Sequence, residues 1–430
     1  MTGDIIRMLY FARETWPTHR VDITELFGRE LLGRGHQIDF VMAAASAATP
    51  AGPAPWNGRT IYVGVTPVGR GLSGRFRRQW AAVVHDFRCL RLARRDRYDA
   101  IQVRDKFLIA ACAALVARGR GLKFFYWLSF PEPEAQLLRV HDRTARYPFL
   151  TAIRGRFFWW LLYRWILPRC DHAFVQSERM RQDVAAHGIP LQKMTAVPMG
   201  IAAADLERFT VAAPGGENAG RDRPLLLGYL GTLVVRRQLT VLVDMLAELR
   251  GRGVDARLLF VGDGERPSDR AAIEARAQEQ GVAGQIEITG FLDRAEALRR
   301  MRSADIALSP FFPTPILLST SPTKLIEYMA LGLPVIANDH PEQRLILRES
   351  RAGVRVPWSA RHFARAVVFL QRLPPEARHT MGQRGRDWVR RNRTYARIAD
   401  RLEDEYRHLL ALRDPGAGAM PGPAGAGRSQ

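Results

Sequence analysis

The segment STSPTKLIEYMALGLPVIAND, Ser319–Asp339, carries the residue types that hold a phosphorylated ligand. Ser321 is placed to cap a helix, and Pro322 suits its first turn. A helix start offers backbone N–H groups and partial positive charge, so the chain at Thr323 and Lys324 can seat a phosphate. Lys324 adds a full charge. Glu327 lies three residues beyond Lys324 and four beyond Thr323, near the same helix face, where a carboxylate accepts hydrogen bonds from ribose hydroxyls. With Ser319 and Thr320 just ahead, these groups describe a nucleoside-diphosphate site. Taken alone, an ordinary capped helix with a Lys–Glu pair explains the segment equally well.

Other segments add to it. GYLGTLVVRRQ, Gly228–Gln238, runs a strand into Gly231 and Thr232, where backbone can approach a ligand closely, and then to Arg236 and Arg237, which can fork onto a diphosphate. FVGDG with Gly262 and ITGFLD with Gly290, Phe291 and Leu292 are further strand-end turns, the second able to face a base. In the first half, Arg104–Asp105 and SFPEPE, with Ser129, Glu132 and Glu134, also follow strands and could meet sugar hydroxyls or supply a base. The first strand leads into ARETWPTHR, which has no glycine, so a dinucleotide fingerprint is absent. His36 reads as structural, and His19, His85 and His141 show no metal or triad pattern.

Such residues need strand ends and helix starts to position them, and the chain supplies both twice. Apolar strands fit Ile5–Phe11, Gln37–Met42, Ile61–Val65, Asp99–Arg104, Leu122–Leu128, His172–Gln176 and Met194–Val197, with helices between, including Gly74–Asp96 and Leu108–Ala117. Asp22 with Glu25 reads as a capping box, and Gly35 as that helix's end. Thr210–Arg223 is a polar Gly/Pro/Ala stretch without periodicity. Strands then resume at Leu225–Leu230, Arg257–Val261, Ile286–Thr289, Asp305–Ser309 and Pro334–Asn338. This predicts an α/β chain of two Rossmann-like, doubly wound domains, 1–208 and 224–390, joined by a linker at 209–223 and facing one cleft, with a low-complexity tail at 414–430.

Composition narrows the partners. Over 430 residues, 64 basic against 43 acidic residues leave a net charge of +21. Such a surplus attracts nucleic acid, a membrane surface or phosphorylated substrates. Only Lys106, Lys123, Lys193 and Lys324 are lysines, so much of the surplus is arginine bias. Cys89, Cys112 and Cys170 form no paired pattern, which points to a reducing cytoplasm. The apolar run FFWWLLYRWILP, Phe157–Pro168, is too short to span a bilayer. Arginines with Trp159, Trp160, Tyr163 and Trp165 between Leu138 and Cys170, and again around Trp80 and Phe87 in Gly74–Arg97, suit an interfacial membrane face. No nucleic-acid module is recognisable.

The order of LLGRGHQIDFV, SERMRQDVAAHGIPLQKMTAVPMGI, GYLGTLVVRRQLTVLVDMLAEL, LLFVGDG, ITGFLDRAEALRRMRSADIALSP, KLIEYMALGLPVIAND and TYARIADRLEDEYRHLL resembles the retaining GT-B glycosyltransferases of family 4. The resemblance implies a nucleotide-sugar donor held by the second domain, with Arg236 or Arg237 and Lys324 on its diphosphate, Glu327 on its ribose and Gly290–Leu292 at its base. It implies retention, no metal or other cofactor, and a closing helix at 391–413 that crosses back to an acceptor-binding first domain. The sequence departs from the family at Ser319, where a first glutamate is common, at Thr232 in place of an arginine, and near Leu128–Ser129 in place of a histidine. The expected activity is sugar transfer to a polysaccharide or lipid-linked glycan precursor, in the cytoplasm or on the inner membrane face, with no nucleic-acid partner. An epimerase of the same fold, a basic nucleic-acid-binding protein and a catalytically silent scaffold are the rival readings.

Overall fold

The structure, a computed structural model, describes residues 5–66, 71–208 and 223–411. Most of the expected linker and the whole 414–430 tail lie outside the described residues. The first half builds an eight-stranded sheet from β1 (Arg7–Trp16), β2 (Gln37–Ala44), β3 (Gly52–Trp56), β4 (Arg59–Gly64), β5 (Ala100–Arg104), β6 (Lys123–Leu128), β7 (His172–Val175) and β8 (Met194–Ala196), in the order β3-β4-β2-β1-β5-β6-β7-β8. All neighbours are parallel except β3 against β4. The second half builds a six-stranded parallel sheet from β9 (Leu225–Leu230), β10 (Ala256–Val261), β11 (Ile286–Ile288), β12 (Ile306–Ser309), β13 (Val335–Asn338) and β14 (Gly353–Val356), in the order β11-β10-β9-β12-β13-β14.

The central strands are apolar almost throughout because helices cover both faces: every residue of β5 and of β13 is buried. Each sheet therefore has a hydrophobic core on either side. Two strands escape sequence reading. β3, GPAPW, carries two prolines, which only an edge strand tolerates, and β14 is a short edge strand of four residues. The reading of Asp22 as a helix cap is overturned. The helical segment Asp22–Leu31 starts without a side-chain cap, and Asp22 is buried against Arg104 at 2.7 Å and Arg20 at 2.9 Å.

The two halves exchange elements. Ile201 and Leu206 pack into the core of the second sheet, so the chain changes layers before the polar stretch begins. In return the helix Tyr395–Ala411 packs Ile398, Ala399, Leu402 and Tyr406 into the core of the first sheet beside Tyr10 and Phe40. Arg34 pairs with Glu403 and Asp400, both at 2.8 Å, His36 meets Glu403 at 3.0 Å, and the Tyr406 hydroxyl donates to Gln102 at 2.5 Å. The two crossings lie side by side: the Ile201 N–H donates to the Arg393 carbonyl at 2.9 Å, and the Tyr395 N–H to the Ile201 carbonyl at 2.9 Å. Gly200 is required there, because a Cβ would run into the Arg393 carbonyl at 2.6 Å. Leu402→Ala should cost about 2–5 kcal/mol by opening a cavity in the core that this helix shares with the first sheet. Hydrogen exchange should then rise in the first sheet, although the substitution lies after the second; a rise confined to the second sheet would contradict the packing.

Candidate active site

Ligands of doubly wound sheets bind beyond the carboxyl ends of the strands, and the second sheet's charged residues gather there. β9 and β10 end in register, Leu230 beside Val261, so Gly231 and Gly262 follow next to each other. Both have left-handed backbones, φ +137° and +141°. A Cβ on Gly262 would overlap the Gly231 carbonyl, and one on Gly231 would overlap the Lys324 side chain. Glycine is thus needed for close approach as well as for conformation. Lys324 lies over this floor with its Nζ 5.9 Å from the Tyr229 ring centroid. Arg237 donates to the Tyr229 hydroxyl at 2.9 Å, and its Nη1 lies 3.4 Å from where a Gly231 Cβ would be. Burial first, and then the Arg237 charge, pull the Lys324 ammonium down to about 7, against the opposing pull of Glu327. Two cations held this close without an anion between them define a place where an anion is favoured.

Glu327 is buried and its Oε1 accepts from Arg294 at 2.7 Å; Arg294 also reaches Asp205 at 3.1 Å. Glu327 lines a cleft of about 710 Å³ together with Leu292 and Arg294 of the second half and Thr18, Thr24 and Arg29 of the first. Thr18 and His19 also line an adjoining hollow of about 540 Å³ with Arg13, Asp105 and Ser129. The two hollows share Thr18 and His19 and are together called the channel. Ser129 is tied to Asp105 through both its N–H, at 3.0 Å, and its hydroxyl. Thr289, which sequence reasoning passed over, joins the glycine turns: its hydroxyl accepts from the Gly262 N–H at 3.2 Å and donates to the Gly290 carbonyl at 2.9 Å. Its signal was only its place at the end of a strand.

Gly231, Gly262, Lys324, Arg237, Glu327, Gly290 and Leu292 therefore gather at one edge. Phe291 is 65% exposed beside them, and Thr232 is half-buried after Gly231. Several expected residues have other surroundings. Arg236 is exposed, whereas Arg237 is held at the floor, so of the two only Arg237 sits with Lys324. Ser321 does not cap its helix: it accepts from the Met199 N–H at 3.0 Å and donates to Glu342 at 3.1 Å. The Thr323 N–H, expected to be open, donates to the Ser321 carbonyl at 3.0 Å. Ser319 donates to Asp183 at 2.5 Å, and its carbonyl accepts from Ser177 at 2.6 Å, so it fastens the two halves together. Thr320 is bound to the Leu317 carbonyl at 2.7 Å.

The first-half candidates divide as well. Arg104 is fully buried, paired with Asp22 at 2.7 Å and Glu14 at 3.1 Å, and does not face the channel. Glu134 accepts from the Tyr163 hydroxyl at 2.6 Å, and Glu132 pairs with Arg139 at 3.3 Å and Arg13 at 3.7 Å. Both glutamates are engaged in packing their own helix. Ser129 alone of the four lines the channel.

Residues 24–205 match the model described as Glycosyltransferase Family 4, and residues 224–372 match that described as Glycosyl transferases group 1. The chain belongs to glycosyltransferase family 4. The phosphatidyl-myo-inositol mannosyltransferase of Mycobacterium leprae is 32% identical over 159 residues, a match covering 34% of this chain and 40% of that protein. The match thus spans less than half of that relative's length. Sucrose-phosphate synthase from Thermosynechococcus elongatus superposes with a TM-score of 0.69 at 17% identity, over 94% of this chain and 99% of the other. Anabaena HepE in complex with UDP superposes with a TM-score of 0.65 at 12% identity, over 94% and 100%. This likeness shows the GT-B fold.

In this family 4 chain the depressed lysine can be observed directly, because Lys324 has only three other lysines to compete with it. Competitive acylation at pH 8 should modify Lys324 well ahead of Lys106, Lys123 and Lys193, with a midpoint near 7 in its rate–pH profile. A midpoint near 10 at Lys324 would contradict its burial beside Arg237.

Proposed function

We propose that this chain is a retaining glycosyltransferase that moves a hexosyl group from a nucleotide-sugar donor to a polysaccharide or lipid-linked glycan precursor. One observation carries the reading: Lys324 and Arg237 are held together over the paired glycines Gly231 and Gly262, next to Leu230 and Glu327, which line a cleft whose other wall is Thr18–Arg29 of the first half. The reading seats the donor diphosphate on these two cations, its ribose at Glu327 and its base by Gly290–Leu292. Departure of a nucleoside diphosphate places negative charge on its phosphate oxygens, and preorganised cations stabilise that charge as it forms. Donor binding would return the proton that burial removes from Lys324. In this reading the cations assist the leaving group without a metal, and the acceptor enters along Thr18, His19, Asp105 and Ser129.

The acceptor class and place of work rest on the first half. The relative named for phosphatidyl-myo-inositol supports a lipid-linked acceptor. Among the described residues no helix is long and apolar enough to cross a membrane. The tryptophan-rich segment is more buried than its sequence suggests: Tyr163 is buried, and Trp159 and Trp165 pack onto the first core. The open apolar surface is instead Phe149, Leu150, Ile153, Phe157 and Trp160 on the helix Pro148–Trp160, with Phe76 and Trp80 on the helix Gly71–Leu90. Set among arginines, this surface suits the anionic cytoplasmic face of a membrane as a peripheral site.

Lys324→Ala and Glu327→Ala should each lower kcat/KM for transfer by about 10²–10³-fold; full turnover in both would overturn the assignment. Donor consumed at full rate with no acceptor would mark an epimerase instead. Sedimentation with anionic vesicles should be strong at low salt and weak at high salt; no binding at low salt would refute the membrane reading while leaving the transferase untouched.

A further inference from the structure

A mainly apolar hollow lies away from the channel. It occupies about 640 Å³ between the helices Gly71–Leu90, Phe107–Arg120 and Pro148–Trp160. Trp80, Val84, Phe87, Leu108 and Phe157 line it, and all but Val84 are exposed. Trp80 is 62% exposed and is stacked on Phe76, with ring planes 9° apart, so the apolar surface continues out of the groove. An open apolar cavity of this size is within the range that holds small ligands.

Arg88 and Arg91 stand at its margin, both exposed. The carboxylates nearest in sequence are already taken: Asp86 by Lys106 at 2.7 Å, and Asp96 by Arg94 at 3.1 Å. The Gly71–Leu90 helix leads from the carboxyl end of β4 back towards the start of β5. Arg88 and Arg91 therefore lie at the end of the domain remote from the channel, where the strands begin. An apolar groove with two cations at one margin matches a molecule with an apolar chain and an anionic head.

We propose that this groove binds a single anionic phospholipid, its acyl chain along Trp80, Val84, Phe87, Leu108 and Phe157 and its phosphate on Arg88 and Arg91. The distance of the cations from the channel makes this lipid a resident anchor, separate from the acceptor that reacts. The inference rests on the membrane reading above and sharpens it, from a charged surface lying on many headgroups to a seat for one lipid.

Monomeric dioctanoyl phosphatidylglycerol, kept below its micelle concentration, is the probe, with binding to the full chain followed by calorimetry. It should bind at least about tenfold more tightly than dioctanoyl phosphatidylcholine, which lacks the net charge, and than glycerol 3-phosphate, which lacks the chain. Leu108→Gln, at an exposed position where folding is not at risk, should weaken the phosphatidylglycerol about tenfold, as should Arg88→Gln with Arg91→Gln. Equal affinity for glycerol 3-phosphate, equal affinity for the phosphatidylcholine, no binding of the monomer, or unchanged affinity in both variants would each overturn the groove. Vesicle sedimentation of the unsubstituted protein separates the two ideas: vesicle binding with no monomer binding refutes the groove and keeps the membrane surface, whereas no vesicle binding at low salt refutes both.

Discussion

The arrangement turns on one small contact, the place where the chain passes twice between its sheets. Ile201 bonds both ways to the Arg393–Tyr395 segment, and Gly200 allows the two backbones to touch. Beside it, Glu342 is buried between Arg393 at 2.9 Å and Ser321 at 3.1 Å, and burial pushes its carboxyl up to about 7 against those two partners. Ser321 also holds the Met199 N–H. The start of the Lys324 helix is thus anchored to both crossing segments. A carboxylate with so little water must keep its partners, so the Thr323–Ala330 helix cannot shift without disturbing the joint between the halves.

From that joint the channel follows. Ser319 and Ser177 fasten the sheets on the near side, while Arg294 ties Glu327 to Asp205 on the crossing segment. Glu327 is therefore linked to the element that connects the two halves. At the position where a family glutamate is common, Ser319 forms an interdomain hydrogen bond to Asp183. In this chain that position contributes to holding the sheets together.

The charge surplus divides in the same way. Arg104 neutralises buried Asp22 and Glu14, Arg34 fastens the last helix, and Arg393 serves the joint. Arg237 and Lys324 meet at Gly231 and Tyr229. The arginines beside the exposed aromatics of the first half remain on the outer surface. Arginine suits all these tasks because its guanidinium keeps its charge when buried and forks to two acceptors.

Period and punctuation determined the larger part of the fold from sequence alone. Continuous apolar runs marked the buried parallel strands, and strand-end glycines marked Gly231, Gly262 and Gly290, because these signals are local. The prolines of β3 and the shortness of β14 hid edge strands whose pairing is supplied from outside. Sequence named Lys324, Glu327 and the arginine pair, but could not choose between Arg236 and Arg237 or tell that Arg104 and Glu134 face inward. Those choices depend on where each helix meets the sheet. Nor could it see that Ser321 bonds across the joint instead of capping its helix, or that Trp159 and Trp165 pack inward while Phe149 and Leu150 stay open. Spacing along the chain sets which residues share a face; only the packing of one element on another decides which face meets solvent, which meets the core and which meets the channel.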